Sequence, residues 1–320
     1  MATTIAGIDL GGTKIFGAQV TLDGTGSGGT ASIGTETKRS TPRSSVDDIV
    51  AAIAEVGGAL DDHPPRVGLG TPGVVAPESG IVENAPNLAG FDRPVPLAEL
   101  VSEAVAAPVA IGNDVNMAAL GETRVGAAAG HDDVLAVWMG TGLGAGLVLD
   151  GRLRVGPNGL AGELGHTTVV PGGRRCACGG VGHVEAYIGR RALEASARER
   201  HANGEPTMLV DTAGDRPMKS KVFAKAYEAG DQVAMSLIDE GLDVLTIAIA
   251  NVLVIADVTT VVLGGGLGER LADVAVERIG TGLADLHYAG AAPVIVEGSL
   301  GDHAGALGAA FHAVDSIGVR

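Results

Sequence analysis

The densest group of chemically active side chains lies in the segment from Glu163 to Glu185. Two imidazoles and two thiols there could form a tetrahedral zinc site. These residues are His166, Cys176, Cys178 and His183. The C-x-C spacing is less common in zinc sites than C-x-x-C, so two unligated cysteines in a glycine-rich loop remain an alternative. Glu163 and Glu185 flank the set and could accept hydrogen bonds from a polyhydroxylated ligand, or they could be solvated carboxylates.

A first glycine turn, from Asp9 to Lys14, lies between two strand-like segments. Its glycines allow the backbone to approach a phosphate group and to point N–H groups at it. Asp9, at the end of the first strand, could hold a hydrated magnesium ion. An ordinary hairpin turn of the Gly-Gly type is an equally good interpretation of this segment alone.

Two further glycine turns follow strand-like segments. Thr141, in the turn Gly140–Gly144, could donate its hydroxyl to a terminal phosphate, although the segment could also be a bend in a packed sheet. The turn Gly264–Gly268 precedes a helix, whose N-terminus favours anions, or it is a simple connection. A G-x-G-x-x-G match at Gly24–Gly29 has no helix after it and therefore does not predict a dinucleotide site. The sequence contains no P-loop motif.

The pair Asn113-Asp114 stands where a strand ends and a helix begins. Asn and Asp are preferred residues at helix N-termini, so a purely structural cap is one interpretation. The other is a general base, because a carboxylate there could accept a proton from a hydroxyl that attacks a phosphorus atom.

Strand-like and helical segments alternate along the chain, which predicts an α/β fold. Apolar spacing predicts helices over Val46–Leu60 and Gln232–Ala256, and a polar stretch predicts a mobile loop over Thr21–Thr35. The strand, glycine turn and strand pattern of Ile5–Val20 is repeated at Val134–Leu149. This repeat predicts two similar halves.

Composition excludes several classes of protein. The 320 residues include 51 glycines, and 46% of the chain is apolar, which excludes a disordered chain. The formal charge of −16 argues against nucleic-acid and membrane partners, and no basic segment indicates a polyphosphate site. The longest apolar stretch, Val244–Ala256, is too short to span a bilayer. With no signal peptide visible and two closely spaced thiols, we expect a cytoplasmic protein.

In combination, these segments resemble the ROK family (repressors, open reading frames, kinases), and within it the bacterial ATP-dependent glucokinases. The matching pieces run in order from Asp9 to about Ala310: DLGGTK, GTPG, APNL, GNDVNMAALGE, GTGLGAG, and GLAGELGH followed by CxCG. The resemblance implies an actin-like ATPase (ribonuclease H-like) fold with two related α/β domains and an interdomain cleft. We expect a smaller domain of residues 1–115 plus 301–320 and a larger one of residues 116–300 that carries the zinc loop.

The resemblance also implies residue roles. Asp114 matches the catalytic base of the family. The positions that match sugar contacts are Asn87, Asn113, Asp114, Glu163, His166 and Glu185. The positions expected to bind ATP and Mg²⁺ are Asp9, Gly11, Gly12, Thr13, Lys14, Thr141, Gly142, Gly144, Gly265 and Gly266. His166 would use one ring nitrogen for a structural Zn²⁺ ion and the other for the sugar.

One departure from the family pattern affects the zinc site. The family usually reads CxCGxxGCxE, whereas His183 stands here in place of the third cysteine. The implied reaction is transfer of a phosphoryl group from ATP to the 6-hydroxyl of a hexose, with glucose favoured. Fructose, mannose, allose, N-acetylmannosamine and N-acetylglucosamine remain alternative sugars.

Two functions other than a kinase agree less well with the sequence. A sugar-responsive repressor would need a DNA-binding region before Asp9, and we expect no room for one. An ATPase without a sugar substrate would have no use for the set Asn87, Glu163, His166 and Glu185. The resemblance further implies a homodimer or homotetramer.

Overall fold

The computed structural model describes residues 2–23, 30–61, 63–286 and 292–316. The chain forms two compact units. The first comprises Met1–Val134, Gly146–Gly162 and Ser299–Arg320, and the second comprises Leu135–Ala145 and Glu163–Gly298. The domain division expected at residues 115 and 300 stays a prediction.

Strands and helices alternate through both units, as the sequence predicts. The strands are β1 (Thr3–Leu10), β2 (Lys14–Asp23), β3 (Thr30–Ser40), β4 (Val67–Thr71), β5 (Val74–Val75), β6 (Val82–Asn84), β7 (Val109–Asn113), β8 (Val134–Met139), β9 (Leu143–Leu149), β10 (Arg152–Arg154), β11 (Thr260–Gly264) and β12 (Val294–Glu297). The helices are α1 (Val46–Leu60), α2 (Leu97–Val105), α3 (Asp114–Val125), α4 (Glu185–Ile188), α5 (Arg190–Ala202), α6 (Met208–Ala213), α7 (Ser220–Glu228), α8 (Gln232–Ala256), α9 (Gly265–Gly268), α10 (Ala272–Leu286) and α11 (Ala304–Ser316).

Two five-stranded sheets share one topology. The first has the order β3-β2-β1-β4-β7, and the second has the order β10-β9-β8-β11-β12. The central strand of each sheet, β1 in the first and β8 in the second, precedes the other strands of that sheet in the chain. A glycine turn follows it and leads into the neighbouring strand, β2 or β9. The prediction of two related halves is therefore confirmed, and the α/β fold class with it.

The register of the first sheet aligns the ends of its parallel strands. Strand β1 pairs in parallel with β4, and β4 pairs in parallel with β7. Asp9 is paired with Gly70, and Thr71 with Asn113. Because the carboxyl ends of neighbouring parallel strands meet at one edge, the residues that follow these strands lie close together.

Alternate side chains of the first sheet belong to two separate apolar cores. On one face, Ile8 and Leu10 pack in a core with Ile53 of α1. On the other face, Ile5 packs in a core with Phe311 of α11. Both faces of β1 are thus covered, as is typical of a sheet that contains parallel strands.

Helices α3 and α11 pack together through glycine. A Cβ atom added to Gly308 would overlap the carbonyl oxygen of Met117, and one added to Gly121 would overlap the carbonyl oxygen of Ala304. Backbone therefore lies against backbone at this contact, and the position of α3 relative to α11 is fixed without intervening side chains. Asp114 is the first residue of α3, so this contact also positions the predicted base.

The predicted mobile loop over Thr21–Thr35 is wrong at both ends. Strand β2 continues to Asp23 and pairs with β3, which begins at Thr30. Residues 24–29, which carry the G-x-G-x-x-G match, lie outside the described residues. Backbone pairing with β2 keeps Thr30–Thr35 extended even though these residues lack a continuous apolar face.

Among the described residues, no helix is both long and apolar enough to pass through a membrane. The predicted helix Gln232–Ala256 is the buried helix α8, and 13 of its residues are buried.

Candidate active site

The first glycine turn and a predicted sugar residue are adjacent in the first unit. The backbone N–H of Gly11 donates to the carbonyl of Lys14 at 2.8 Å, which closes the turn between β1 and β2. A Cβ atom added to Gly12 would lie 3.3 Å from the Cβ atom of Asn87. The structure therefore brings the predicted phosphate turn against the predicted sugar asparagine.

Asn113 caps helix α3, so the structural interpretation of this residue is confirmed. Its Oδ1 atom accepts hydrogen bonds from the backbone N–H groups of Val115 at 3.0 Å and Asn116 at 3.1 Å. Its Nδ2 atom donates to the carbonyl of Gly73 at 3.1 Å. These contacts fix the start of α3, and with it the place of Asp114.

The Asp114 carboxylate lies at the N-terminus of α3. Its Oδ1 atom accepts a hydrogen bond from the backbone N–H of Val115 at 2.9 Å. The partial positive charge of a helix N-terminus favours the ionised carboxylate. A carboxylate held in this orientation at a strand end is suited to accept a proton from a hydroxyl group.

Asp9 and Asp114 bring two carboxyl groups to the same sheet edge. Burial raises the pKa of Asp9 from 3.8 to about 7, and the negative charge of Asp114 adds to the rise. Lys14 opposes this rise in the pKa of Asp9, while the Asp302 carboxylate, 2.7 Å from the Nζ atom of Lys14, adds to it. The edge therefore carries an excess of negative charge that a divalent cation would offset, which fits the magnesium role predicted for Asp9.

In the second unit, the turn Gly140–Gly144 is held by side chains from α4 and α5. The Oε2 atom of Glu185 accepts a hydrogen bond from the backbone N–H of Leu143 at 2.9 Å. The Nη2 atom of Arg190 donates to the Oγ1 atom of Thr141 at 2.9 Å. The turn is thus fixed in place, with Gly142 against the Glu185 carboxylate, where a Cβ atom would overlap it.

The third glycine turn lies beside the second. Gly265 has a φ angle of +80°, which disfavours other residues, and begins the short helix α9. A Cβ atom added to Gly265 would lie 2.7 Å from the carbonyl oxygen of Met139, the last residue of β8. Gly266 follows in α9, and Ser220 Oγ lies 3.7 Å from the position of its added Cβ atom.

The four predicted zinc ligands form one cluster in the second unit. The ligand atoms of His166, Cys176, Cys178 and His183 all lie within 4.8 Å of one another. The Nδ1 atom of His166 is 4.0 Å from the Sγ atom of Cys176, and the Nδ1 atom of His183 is 3.3 Å from the Sγ atom of Cys178. Ligands at normal Zn–S and Zn–N distances in a tetrahedron would be about 3.5 Å apart. The donor set and its spacing therefore fit zinc.

The thiol of Cys176 also needs a cation to ionise at neutral pH. Burial raises the pKa of the Cys176 thiol to about 11, and the neighbouring Glu185 carboxylate adds to the rise. A metal ion reverses this preference because it binds the thiolate.

His166 connects the metal cluster to the predicted sugar residues. While its Nδ1 atom faces Cys176, its Nε2 atom lies 3.8 Å from the Oε2 atom of Glu163. Burial raises the pKa of Glu163, and the Glu185 carboxylate adds to the rise while His166 opposes it. Glu185 itself lies between the metal loop and the glycine turn, with its Oε1 atom 3.5 Å from Cys176 Sγ.

Each unit therefore gathers part of the predicted site. The first unit brings together Asp9, Gly11, Gly12, Thr13, Lys14, Asn87, Asn113 and Asp114. The second brings together Thr141, Gly142, Gly144, Glu163, His166, Cys176, Cys178, His183, Glu185, Gly265 and Gly266. The sequence analysis missed Arg190, because an arginine at the start of a helix is no motif and its contact with Thr141 is visible only in three dimensions.

Comparisons with known proteins agree with this arrangement. The pattern of the ROK family matches residues 5–316. A glucokinase of Thermotoga maritima is 31% identical over 325 residues, which cover 98% of this chain and 98% of that protein.

Two crystal structures have the same architecture. A ROK hexokinase from Thermus thermophilus has a TM-score of 0.83 and 32% identity, over 98% of this chain and 99% of that chain. A ROK family glucokinase from Streptomyces griseus, in complex with glucose and AMPPNP, has a TM-score of 0.79 and 31% identity, over 98% and 100% of the two chains. The chain belongs to the ROK family and has the actin-like ATPase fold of its sugar kinases.

Proposed function

We propose that the protein transfers the γ-phosphoryl group of MgATP to the 6-hydroxyl of a hexose, with glucose as its best substrate. The observation that carries this proposal is the sheet edge in the first unit. There Asp114 is fixed at the start of α3, burial and the charge of Asp114 raise the pKa of Asp9, and the turn at Gly12 lies against Asn87. A general base, a cation site, a phosphate turn and a sugar amide are thus neighbours.

Asp114 acts as the general base. It accepts the proton of the 6-hydroxyl as the sugar oxygen forms its bond to the γ-phosphorus and the bond to the leaving ADP oxygen breaks. The cap formed by Asn113 holds the carboxylate in place, so little rearrangement is needed at the moment of transfer. Asn113 then supports the sugar site mainly by positioning α3.

The glycine turns bind the phosphates of the donor. Backbone N–H groups of Gly12, Gly142, Gly265 and Gly266 and the side chains of Thr13, Lys14 and Thr141 supply donors for phosphate oxygens. Bound magnesium supplies positive charge that offsets the phosphates and the carboxylate of Asp9. These contacts stabilise the charge that spreads over the transferred group.

The sugar hydroxyls are recognised by Asn87, Glu163, His166 and Glu185. Carboxylates and imidazole nitrogens are strong acceptors for hydroxyl groups. In the second unit the two histidines and two cysteines would hold a structural zinc ion, which would fix the orientation of His166 towards Glu163.

An ADP-release assay over a panel of hexoses, with and without magnesium, tests the proposed function. We expect turnover with glucose that requires magnesium, and lower kcat/KM with fructose, mannose, allose and the two N-acetylated sugars. A higher kcat/KM for one of these sugars would reassign the substrate within the same reaction. Sugar binding without ADP release from any hexose would instead indicate a sugar-responsive regulator.

We further propose that the protein is a cytoplasmic homodimer or homotetramer. The C-terminal part of α8 exposes apolar side chains on one face: Val254 is 61% exposed, Ile255 is 84% exposed and Ile247 is 40% exposed. Residues at this spacing share a helix face and form an apolar surface that a second copy of the chain could cover. Light scattering of the purified protein measures the assembly directly, and a monomer at micromolar concentration would contradict the proposal.

A further inference from the structure

The segment of residues 299–305 lies against the first glycine turn and carries an acidic residue to which the proposed function gives no role. This residue is Asp302, whose Oδ1 atom is 2.7 Å from the Nζ atom of Lys14. The same segment runs into helix α11, where a Cβ atom added to Gly305 would lie 2.9 Å from the Cγ atom of Asp9. One short segment of the first unit thus contacts both ends of the turn from Asp9 to Lys14.

A buried carboxylate fixes the backbone of this segment. Glu122 of α3 is 1% exposed, and its Oε1 atom accepts a hydrogen bond from the backbone N–H of Leu300 at 2.9 Å. Its Oε2 atom accepts another from the backbone N–H of Ser299 at 3.1 Å. Hydrogen bonds to a charged acceptor are stronger than neutral ones, and burial shields these two from water. The backbone that leads to Asp302 is therefore held by α3, independently of any surface ion pair.

Side chains of the first sheet hold the segment from the other side. The Nε2 atom of His303 is 2.9 Å from the Oε1 atom of Glu36, and its ring lies edge-on to Phe16 with the ring centres 5.4 Å apart. The Nζ atom of Lys38 is 3.4 Å from the Oδ2 atom of Asp302 and 5.2 Å from the centre of the Phe16 ring. The Asp302 carboxylate is thus fixed in place before it meets Lys14.

Two carboxyl groups are available to the ammonium group of Lys14. Among the ion pairs of the described residues, Lys14 pairs with Asp302 and not with Asp9. The hydrogen bond from Lys14 holds the pKa of Asp302 below its ordinary value, so Asp302 is ionised at neutral pH. Lys14 is also close enough to act on Asp9, because its charge opposes the rise in the pKa of Asp9 that burial causes. Without Asp302, the ammonium group would have Asp9 as its alternative partner.

We propose that Asp302 is a positioning residue of the first glycine turn, which holds the ammonium group of Lys14 away from Asp9 and so leaves the Asp9 carboxylate open to a divalent cation. An ammonium group and a divalent cation compete for one carboxylate, so loss of Asp302 weakens the binding of the cation. The proposal rests on the proposed function for the use of that cation in phosphoryl transfer. The ion pair and its backbone support do not depend on that function. The sequence analysis missed Asp302 because it lies near the opposite end of the chain from the turn.

Calorimetric titrations of the full chain with ADP, in magnesium and in EDTA, test the proposal. D302N removes the charge and keeps the size of the side chain, whereas D302E keeps the charge. D302N should weaken ADP about two- to five-fold in magnesium, the range for an exposed ion pair, and should not weaken it in EDTA. D302E should retain most of the wild-type affinity.

The matched control is D243N. Asp243 is 58% exposed and 2.7 Å from Arg278, and Asp302 is 57% exposed and 2.7 Å from Lys14. Asp243 belongs to α8 of the second unit, so its loss should leave ADP affinity unchanged under both conditions. A loss in D243N as large as that in D302N would overturn the proposal, because it would mark a general effect of surface charge.

A double-mutant cycle with K14M shows whether Asp302 acts through Lys14. If it does, D302N should cause no further loss of magnesium-dependent affinity once Lys14 is replaced. The same loss in both backgrounds would overturn the proposal, because Asp302 would then act without Lys14. An equal loss of ADP affinity in EDTA, or a loss in D302E as large as that in D302N, would also overturn it.

Binding and turnover are measured separately, so the two proposals fail separately. A chain that turns over no hexose but shows the magnesium-specific loss in D302N would contradict the kinase proposal and support the role of Asp302. A chain that turns over glucose with unchanged magnesium-dependent ADP affinity in D302N would do the reverse.

Discussion

The two sheets have the same strand order but different chemistry at their functional ends. The first sheet ends in carboxyl groups, where burial and the charge of Asp114 raise the pKa of Asp9. Beside the glycine turn of the second sheet lie both an arginine, Arg190 next to Thr141, and a carboxylate, Glu185 next to Leu143. One topology thus supports a region with two carboxyl groups and a region with charges of both signs.

This difference shows which residues determine the chemistry of each half. The strand order and the glycine turns are shared, so they supply backbone N–H groups in both halves. The charges come from residues just after strand ends and at helix starts, and only the second half has an arginine, Arg190, hydrogen-bonded to its glycine turn among the described residues.

The most severe test of the acidic region is D114N. The variant keeps the size of the side chain but removes the base, so we expect kcat to fall about 10²- to 10⁴-fold with glucose affinity mostly kept. The control D92N changes an exposed carboxylate away from the sheet edge. If D114N retained more than half of the wild-type turnover, Asp114 would not be the base.

The metal cluster of the second unit is tested by H183Q. Loss of one of four ligands should weaken zinc binding by at least about 10- to 100-fold, the cost of even an indirect contact to the metal. Metal analysis of protein purified without chelators should give about one zinc per chain for the wild type. The control H201Q changes an exposed histidine of α5 and should retain the metal. Full zinc content in H183Q would show that this histidine does not replace the family's third cysteine.

The backbone contact under the acidic region is tested by G308A. The added methyl group overlaps the carbonyl of Met117, so we expect unfolding free energy to fall by about 1–3 kcal/mol. The control is G58A, since a Cβ atom on Gly58 of α1 meets nothing within 4 Å. That control should stabilise the protein by about 0.5–1 kcal/mol through helix propensity. Equal urea midpoints for the two variants would contradict the description of the α3–α11 contact.

The smallest expected effect concerns Asp9 and pH. Its pKa is raised from 3.8 to about 7 on folding, so the folded protein binds the proton more tightly than the unfolded chain. Stability from this group is therefore present below about pH 4 and is lost as the pH rises to about 7. We expect D9N to remove this loss and to gain about 1–2 kcal/mol at pH 8.

Urea unfolding at pH 5 and pH 8 measures this effect, with D23N at an exposed strand end as the control. D9N should also weaken the magnesium dependence of turnover. A variant with the same pH dependence of stability as the wild type would show that Asp9 is ionised in the folded protein at pH 5.

Much of the fold could be predicted from local sequence. Helices α1 and α8 have the predicted bounds, because apolar periodicity and the capping residues Ser45 and Asp231 mark them clearly. Strand β3 was missed, since most of its residues are exposed and its polar side chains resemble a loop. Only its pairing with β2 makes it a strand.

Part of the candidate site could likewise be predicted from local sequence, and part could not. Glycine turns and the Cys and His cluster could be found because their residues are close together in the chain. The contacts of Glu185 with Leu143 and of Arg190 with Thr141 could not, because they join segments that are far apart in sequence. A local sequence pattern does not predict which distant side chain will lie against which turn.

The glycine contact between α3 and α11 has a consequence for how this protein can vary. Neither Gly121 nor Gly308 takes part in chemistry, yet each leaves room for a carbonyl oxygen of the opposite helix. A larger residue at either position would force α3 and α11 apart. If α3 moved, Asp114 would move with it, and if α11 moved, its packing against the first sheet would be lost. We therefore expect sequences of this lineage to change the two positions together or not at all.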